Sequence, residues 1–421
     1  MSTTVNPQKA PVLFFPNDEQ FWNETLRTFG HASYGGSDFG EVAATAARIT
    51  ESDYESWYRE WKATGDRIAA QAEESEATGN LISARDAHLR ASTYYREAEF
   101  FLHGNQTDPR INETYDMSVK HFQAAIKLFN PAIEVIEIPY ENTVLHGYFY
   151  HAVGSEDGQP RPTIVTHSGF DGSAEEQHYF VAIPASERGY NVLSFDGPGQ
   201  PAAVHRGLTF RPDWENVVGP VLDYLQTRPE ADMSKVALYG ISMGGELAPR
   251  AAAFEKRLSA LIAVDGVYNA AGPLFAMFPG TPTEIIERLN APEDVQFDQI
   301  LAGAMAHSPM VRWACSHGQY VTGTHTPRQF AAAYMSYNLR DVAEKISCPT
   351  LVCKAEVDMF YGGDATYKAQ PLELMDHLTC EKTLIEFKVA EGAGGHCHSG
   401  AQRLLATRAF DWLNEIFGYK G

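Results

Sequence analysis

Val236-Ala237-Leu238-Tyr239-Gly240-Ile241-Ser242-Met243-Gly244-Gly245-Glu246-Leu247-Ala248 reads as an apolar strand, a tight turn and the opening of a helix, with a serine at the apex of the turn. In a Gly-x-Ser-x-Gly turn the flanking residues must be small, because a Cβ there collides with the crossing strand and helix while the serine is held in a strained backbone conformation. Ser242 is therefore expected to stand clear of the sheet as a nucleophile. The pentapeptide alone also fits a plain Gly-rich turn; the strand before it, the helix after it and the remaining constellation separate the two.

Outward from this turn, short apolar runs alternate with helical text. They are Thr163–Thr166, Val192–Phe195, Leu261–Val264, Thr350–Cys353 and Thr383–Phe387. Strands separated by helices imply a mainly parallel sheet covered on both faces. Ile133–Ile138 and Val144–Tyr150, rich in β-branched and aromatic residues, predict an antiparallel pair ahead of it. Alternation in the first run is imperfect, since Ile133 and Val135 share one face and Ile136 and Ile138 the other, so either a bulge or two partly covered faces is expected.

Between about Phe21 and Phe129 the period is helical, as in Trp57, Trp61, Ile68 and again in Ala91, Tyr94, Tyr95, Ala98, Phe101, Leu102. Gly79-Asn80 and Gly104-Asn105 break this region, and Asn130-Pro131 closes it. The expected organisation is an N-terminal helical cap over residues 1–131 and an α/β catalytic domain over 132–421, interrupted by a helical insertion at about 266–345. That insertion carries Phe275, Met277, Phe278, Met305, Trp313, Phe330, Tyr334 and Tyr337, which either line a capped site or form the core of an extra helical layer.

A serine hydroxyl needs a base within hydrogen-bond reach and a carboxylate to orient that base. Following the chain order serine, acid, histidine, Asp358 leaves the end of a strand and is the expected acid, with Glu356 in reserve. The Gly-rich loop Ala390–His398 supplies His396 as the expected base and His398 as the alternative. Two histidines two residues apart could also bind a metal, but no third ligand has convincing spacing. Backbone amides must hold the negative oxygen that forms on attack. Met243 provides one, and Gly169 or Phe170, in His167-Ser168-Gly169-Phe170-Asp171-Gly172, the second; Asp171 reads as a turn former. Gly197-Pro198-Gly199 lacks the lysine and hydroxyl residue of a phosphate loop and the full dinucleotide pattern, so it reads as a turn bordering the site. No cofactor and no metal is expected.

The 421 residues are 44% hydrophobic and 21% charged, with a formal net charge of -21. That charge repels phosphate backbones and acidic membrane surfaces, so nucleic acid and membrane are not expected partners; a small-molecule substrate is. Five scattered cysteines without paired spacing indicate a reducing compartment. With no basic-then-apolar leader and no apolar run of spanning length, the cytoplasm is the expected location. A homodimer through the N-terminal helices is a further expectation.

Arg188–Gln200, Phe210-Arg211-Pro212-Asp213-Trp214-Glu215, Leu247–Glu255 and Tyr94–Phe101 resemble the α/β-hydrolases grouped with 2,6-dihydroxypseudooxynicotine hydrolase. That group includes fungal hydrolases that shorten polyketide pigments and the hydrolases of fusarin, pseurotin and cytochalasan clusters. The resemblance spans most of the chain. It implies an α/β-hydrolase fold under a helical cap and a triad at Ser242, Asp358 and His396. It further implies hydrolysis of a ketone, 1,3-diketone or ester in a polyketide or polyketide–amino-acid intermediate of fungal-type secondary metabolism. The chain departs from the pattern at Gln200-Pro201-Ala202-Ala203 and at Ser168, which bears on substrate shape and the second oxyanion donor. A cyclase or acyltransferase on the same fold, or a catalytically silent binding protein, are the alternatives.

Overall fold

In the computed structural model, which describes residues 11–272, 280–363 and 367–420, the expected strands assemble into one sheet. Eight strands are found among the described residues: β1 (Glu134–Tyr140), β2 (Thr143–Tyr150), β3 (Arg161–His167), β4 (Asn191–Phe195), β5 (Ala231–Gly240), β6 (Ala260–Val264), β7 (Thr350–Ala355) and β8 (Lys382–Phe387). Their order is β1-β2-β4-β3-β5-β6-β7-β8. β1 and β2 pair antiparallel, β2 meets β4 antiparallel, and every later pairing is parallel. This is the α/β-hydrolase fold. All residues of β4 and β6 are buried, as expected for strands covered by helices on both sides.

The first hairpin resolves the imperfect alternation differently from either expectation. Register runs unbroken from Glu134 opposite Phe149 to Tyr140 opposite Thr143, with no bulge. Ile136, Ile138 and Tyr140 face the core, whereas Val135, Glu137 and Pro139 are exposed. Ile133 lies before the strand and donates its amide to Ile126 O. The apparent second apolar face is thus one residue outside the strand plus one exposed valine.

The N-terminal region is all-helical: α1 (Glu19–His31), α2 (Phe39–Ala46), α3 (Tyr54–Ala77), α4 (Leu81–Glu99) and α5 (Pro109–Ile126). Asp18, Asp38, Asp53 and Asp108 accept backbone N–H bonds at the starts of α1, α2, α3 and α5, satisfying donors a helix leaves unpaired. The apolar stripes read from the sequence face inward: Trp57, Trp61 and Ile68 of α3 and Ala91, Tyr94, Tyr95 and Ala98 of α4 are all buried. The Trp57 indole donates to Glu97 O at 2.7 Å, tying α3 to α4.

Between β6 and β7 the described residues form the helices Pro282–Asn290, Val295–His307, Pro309–Thr322 and Pro327–Tyr334. Trp313 stacks on Phe100 at 5.1 Å, joining this insertion to the end of α4. Phe275, Met277 and Phe278 lie outside the described residues. Among the described residues, no helix is long and apolar enough to cross a membrane, and all five cysteines are free.

Candidate active site

The turn after β5 has the geometry its sequence demands. Ser242 sits at φ 61, between β5 and the helix Gly244–Phe254, which packs on β5 and β6. A Cβ on Gly240 would lie 2.0 Å from Gly244 O, and one on Gly245 2.4 Å from Val264 O. Any larger residue would push the helix off the sheet.

His396 reaches this serine from the loop after β8. Its Nε2 lies 2.9 Å from Ser242 Oγ, and its Nδ1 lies 3.0 Å from Oδ2 and 3.2 Å from Oδ1 of Asp358. The hydroxyl donates to Nε2 and Nδ1–H donates to the carboxylate. Asp358 is itself held by the amides of Phe360 and Tyr361, at 2.8 and 3.0 Å on Oδ1. The acid and histidine loops are tied to each other where Val357 N donates to Gly394 O. The three side chains expected to act together therefore form one hydrogen-bonded line. Glu356 turns away and accepts from Val389 N. His398 is buried against Phe387, ring centroids 3.9 Å apart, with Nδ1 on Ala393 O.

A second carboxylate reaches the same imidazole. Asp265, the residue after β6, brings Oδ2 to 3.3 Å from His396 Nδ1 and accepts from Cys397 N and Sγ. Burial raises its pKa to about 7, with Asp358 adding to the rise. Burial opposes the His396 imidazolium, but the carboxylates outweigh it and hold the ring well above the ordinary imidazole value. Burial likewise opposes the Asp358 carboxylate, and the imidazolium outweighs it, so its pKa is lowered. The three titrate as one coupled unit. Ser242, Asp265, Cys397 and His398 all have positive φ without being glycine, a concentration of backbone strain around one centre. The rule that found Asp358, a carboxylate at the C-terminal end of a sheet strand, equally fits Asp265 after Val264.

The loop after β3 lies against the turn. A Cβ on Gly169 would fall 2.5 Å from Met243 N and 2.7 Å from Ile241 O, so glycine is what lets these backbones touch. Among the described residues, the amides of Met243, Gly169 and Phe170 donate to no protein acceptor. Three side chains hold the loop by its carbonyls. Gln200 Nε2 donates to Ser168 O at 2.6 Å, His167 Nδ1 to Ser168 O at 2.8 Å, and His317 Nε2 to Phe170 O at 2.8 Å. Burial lowers both His167 and His317 to about 4, so each is neutral with one N–H to give. Gly197 N in turn donates to Gln200 Oε1 at 2.8 Å; the Gly-Pro-Gly turn braces the loop.

Above Ser242 lies a cavity of about 160 Å³. Its walls are largely apolar, including Phe170, Trp313, Phe330, Tyr334, Met359 and Phe360. Trp313, Phe330 and Tyr334 thus both line the cavity and pack with one another's neighbours as core, while Tyr337 is buried without lining it. One end is ionic. Arg27 of α1 pairs with Glu24 at 3.2 Å, Asp171 at 3.3 Å and Glu176, and Arg96 of α4 pairs with Glu24 at 3.3 Å and Glu97 at 3.1 Å. Asp171 is accordingly a member of a buried charge cluster rather than a plain turn former. Contacts between residues 144 or more positions apart carry no local sequence signal, which is why α1 was not read as part of the site.

Among the described residues, two groups could offer metal ligands: Asp265, His396 and Cys397, and Glu134, His151 and Glu230. In the first, Cys397 N and Sγ already donate to Asp265, and His396 Nδ1 lies 3.0 Å from Asp358 and 3.3 Å from Asp265. In the second, Arg228 already occupies Glu134.

The alpha/beta hydrolase family matches residues 144–408. The chain is 34% identical over 414 residues to the hydrolase LUC6 of a Fusarium species, covering 95% of this chain and 97% of that protein. It is 32% identical over 427 residues to the hydrolase acrC of Aspergillus aculeatus, with 97% and 98% covered. It is 33% identical over 416 residues to the 20-hydroxy-prefusarin hydrolase FUS2 of Gibberella moniliformis, with 95% and 97% covered. Among solved structures, 2,6-dihydroxy-pseudo-oxynicotine hydrolase is similar with a TM-score of 0.71 at 20% identity, over 93% of this chain and 97% of that one.

Proposed function

The chain belongs to the alpha/beta hydrolase family, and on that premise we propose a serine-dependent hydrolase of a small carbonyl compound: a ketone, 1,3-diketone or ester within a polyketide or polyketide–amino-acid skeleton. The observation that carries the reading is the 2.9 Å contact of Ser242 Oγ with His396 Nε2 beneath an apolar cavity. Full-length similarity to fungal hydrolases, one named for 20-hydroxy-prefusarin, supports a substrate from fungal-type secondary metabolism.

In this reading His396 Nε2 takes the Ser242 proton as Oγ attacks the carbonyl, and Asp358 stabilises the imidazolium. The amides of Met243 and of Gly169 or Phe170 receive the oxyanion. With a 1,3-diketone the carbon–carbon bond breaks to an acyl-serine and an enolate, which takes the proton from His396. With an ester, the alcohol leaves instead. Water, giving a proton to His396, then attacks the acyl-serine, releases the carboxylic acid and restores Ser242.

The apolar walls favour one second reading, in which an internal carbon or amine nucleophile replaces water and the product is cyclised or transferred. Turnover of an aryl 1,3-diketone and of p-nitrophenyl acetate in heavy-oxygen water separates the two. Hydrolysis puts one heavy oxygen into the acid product, and transfer puts none. Undiminished turnover by Ser242→Ala would overturn both.

A further inference from the structure

A larger cavity, of about 660 Å³, opens between the N-terminal segment and the histidine loop. Asn23, Met359, His396 and Ser399 line both this space and the cavity above Ser242, so the two meet at the imidazole. Its outer walls include Val12, Leu13 and Phe39 on the N-terminal side and Val357 on the other. These rank among the exposed large hydrophobic residues of the chain, Leu13 and Phe39 each at 64%. Single exposed apolar residues are ordinary, but several gathered around one groove that is continuous with a reactive centre mark a binding surface. The histidine loop keeps the floor open: Gly392 and Gly395 line it, and a Cβ on either would meet no atom within 4 Å.

We propose that this groove receives the apolar leaving half of the substrate, with the reacting carbonyl at Ser242 and the departing chain running past His396 between Asn23, Met359 and Ser399. The inference rests on the hydrolase reading above. In that chemistry His396 must hand its proton to the leaving atom, so the leaving group has to lie on the imidazole side, and that is the side on which the groove opens. The acyl half then occupies the cavity enclosed by Phe330 and Tyr334.

The test is a series of n-alkyl acetates from ethyl to decyl, whose leaving alcohols differ in length but hardly in basicity, with p-nitrophenyl acetate as the reference substrate. The full-length wild type is expected to show kcat/KM rising with alcohol length, by up to about fourfold for each methylene that becomes buried. Leu13→Arg and Phe39→Arg, both at exposed positions, are each expected to flatten that rise, with the thermal midpoint near that of the wild type and fluorophosphonate labelling of Ser242 retained as the check that the serine still reacts. Hydrolysis of p-nitrophenyl acetate with no dependence on alcohol length, or with the same dependence in the variants, would overturn the groove assignment and leave the hydrolase reading intact. Dissociation of a wild-type dimer by either variant without change in the length dependence would also overturn it, making the groove an interface between copies. Absence of turnover of every ester together with no covalent labelling of Ser242 by a fluorophosphonate would remove the hydrolase reading itself, and this inference with it.

Discussion

Oδ2 of Asp265 lies 3.3 Å from Nδ1 of His396, so the imidazole that faces Ser242 is shared by two buried carboxylates. Asp358 makes the shorter contact, at 3.0 Å. Asp265 also anchors the adjacent residue through Cys397 N. These contacts place it to orient the ring and to favour its charged form.

Replacing Asp265 by Asn removes a negative charge from beside the imidazolium while keeping an acceptor for Cys397 N. His396 works as a base only when neutral, so activity is lost as pH falls through its raised pKa. With one carboxylate fewer, the charged form is less favoured and that pKa drops. The rising limb of kcat/KM against pH is expected to move to lower pH in Asp265→Asn, with kcat at the plateau reduced about tenfold. Asp358→Asn is expected to cost more, on the order of 10³- to 10⁴-fold. An unshifted limb in Asp265→Asn would show that the residue only braces the loop.

Gly169→Ala tests the contact between the β3 loop and the serine turn. The added methyl, built 2.5 Å from Met243 N, must push two backbones apart beside the amides of Met243, Gly169 and Phe170. A loss of about 10²-fold in kcat is expected if those amides hold the oxyanion, alongside about 1–3 kcal/mol of destabilisation from overpacking. Steady-state kinetics and thermal denaturation report the two effects separately. Full activity in a folded variant would remove Gly169 and Phe170 as donors.

Arg27→Met leaves Glu176 and Asp171 buried without their nearest cation, and is expected to destabilise the fold by about 3–5 kcal/mol. Burial opposes the Glu176 carboxylate, yet Arg27 and Arg96 outweigh it and hold its pKa well below the usual value. A depressed carboxylate pKa contributes stability that is present above the unfolded value, about 4.3, and is lost as pH falls from there toward the folded value. Part of the wild type's loss of stability on acidification is therefore expected to vanish in Arg27→Met. Melting curves between pH 6 and 3 check this, and equal acid sensitivity in both proteins would contradict it.

What could be read from the sequence was whatever depends on neighbours along the chain. Strands buried on both faces show as unbroken apolar runs, and the Ser242 turn is readable because a Cβ on Gly240, Gly244 or Gly245 would lie only 2.0–2.8 Å from a neighbouring backbone atom. Asp358 and His396 followed from chain order and from their positions beyond β7 and β8. Asp265 obeys the same positional rule, but a serine–histidine pair needs only one orienting acid, so the sequence pattern does not single out a second. Arg27, Arg96 and His317 could not be found this way. They enter the site through the packing of α1, α4 and the insertion onto the β3 loop, where the relevant spacing is in three dimensions. The Val135 face was misjudged because an exposed valine and a residue preceding the strand imitate an inward stripe.

The central claim is that the Ser242 hydroxyl is a nucleophile activated by His396. The most direct measurement is the mass of the intact protein, with peptide mapping, after brief exposure to a fluorophosphonate. One adduct on Ser242 is expected in the wild type, at a rate cut by orders of magnitude in His396→Ala, and none at all in Ser242→Ala. A folded wild-type protein that takes up no phosphonate, or takes it up on another residue, would contradict the account.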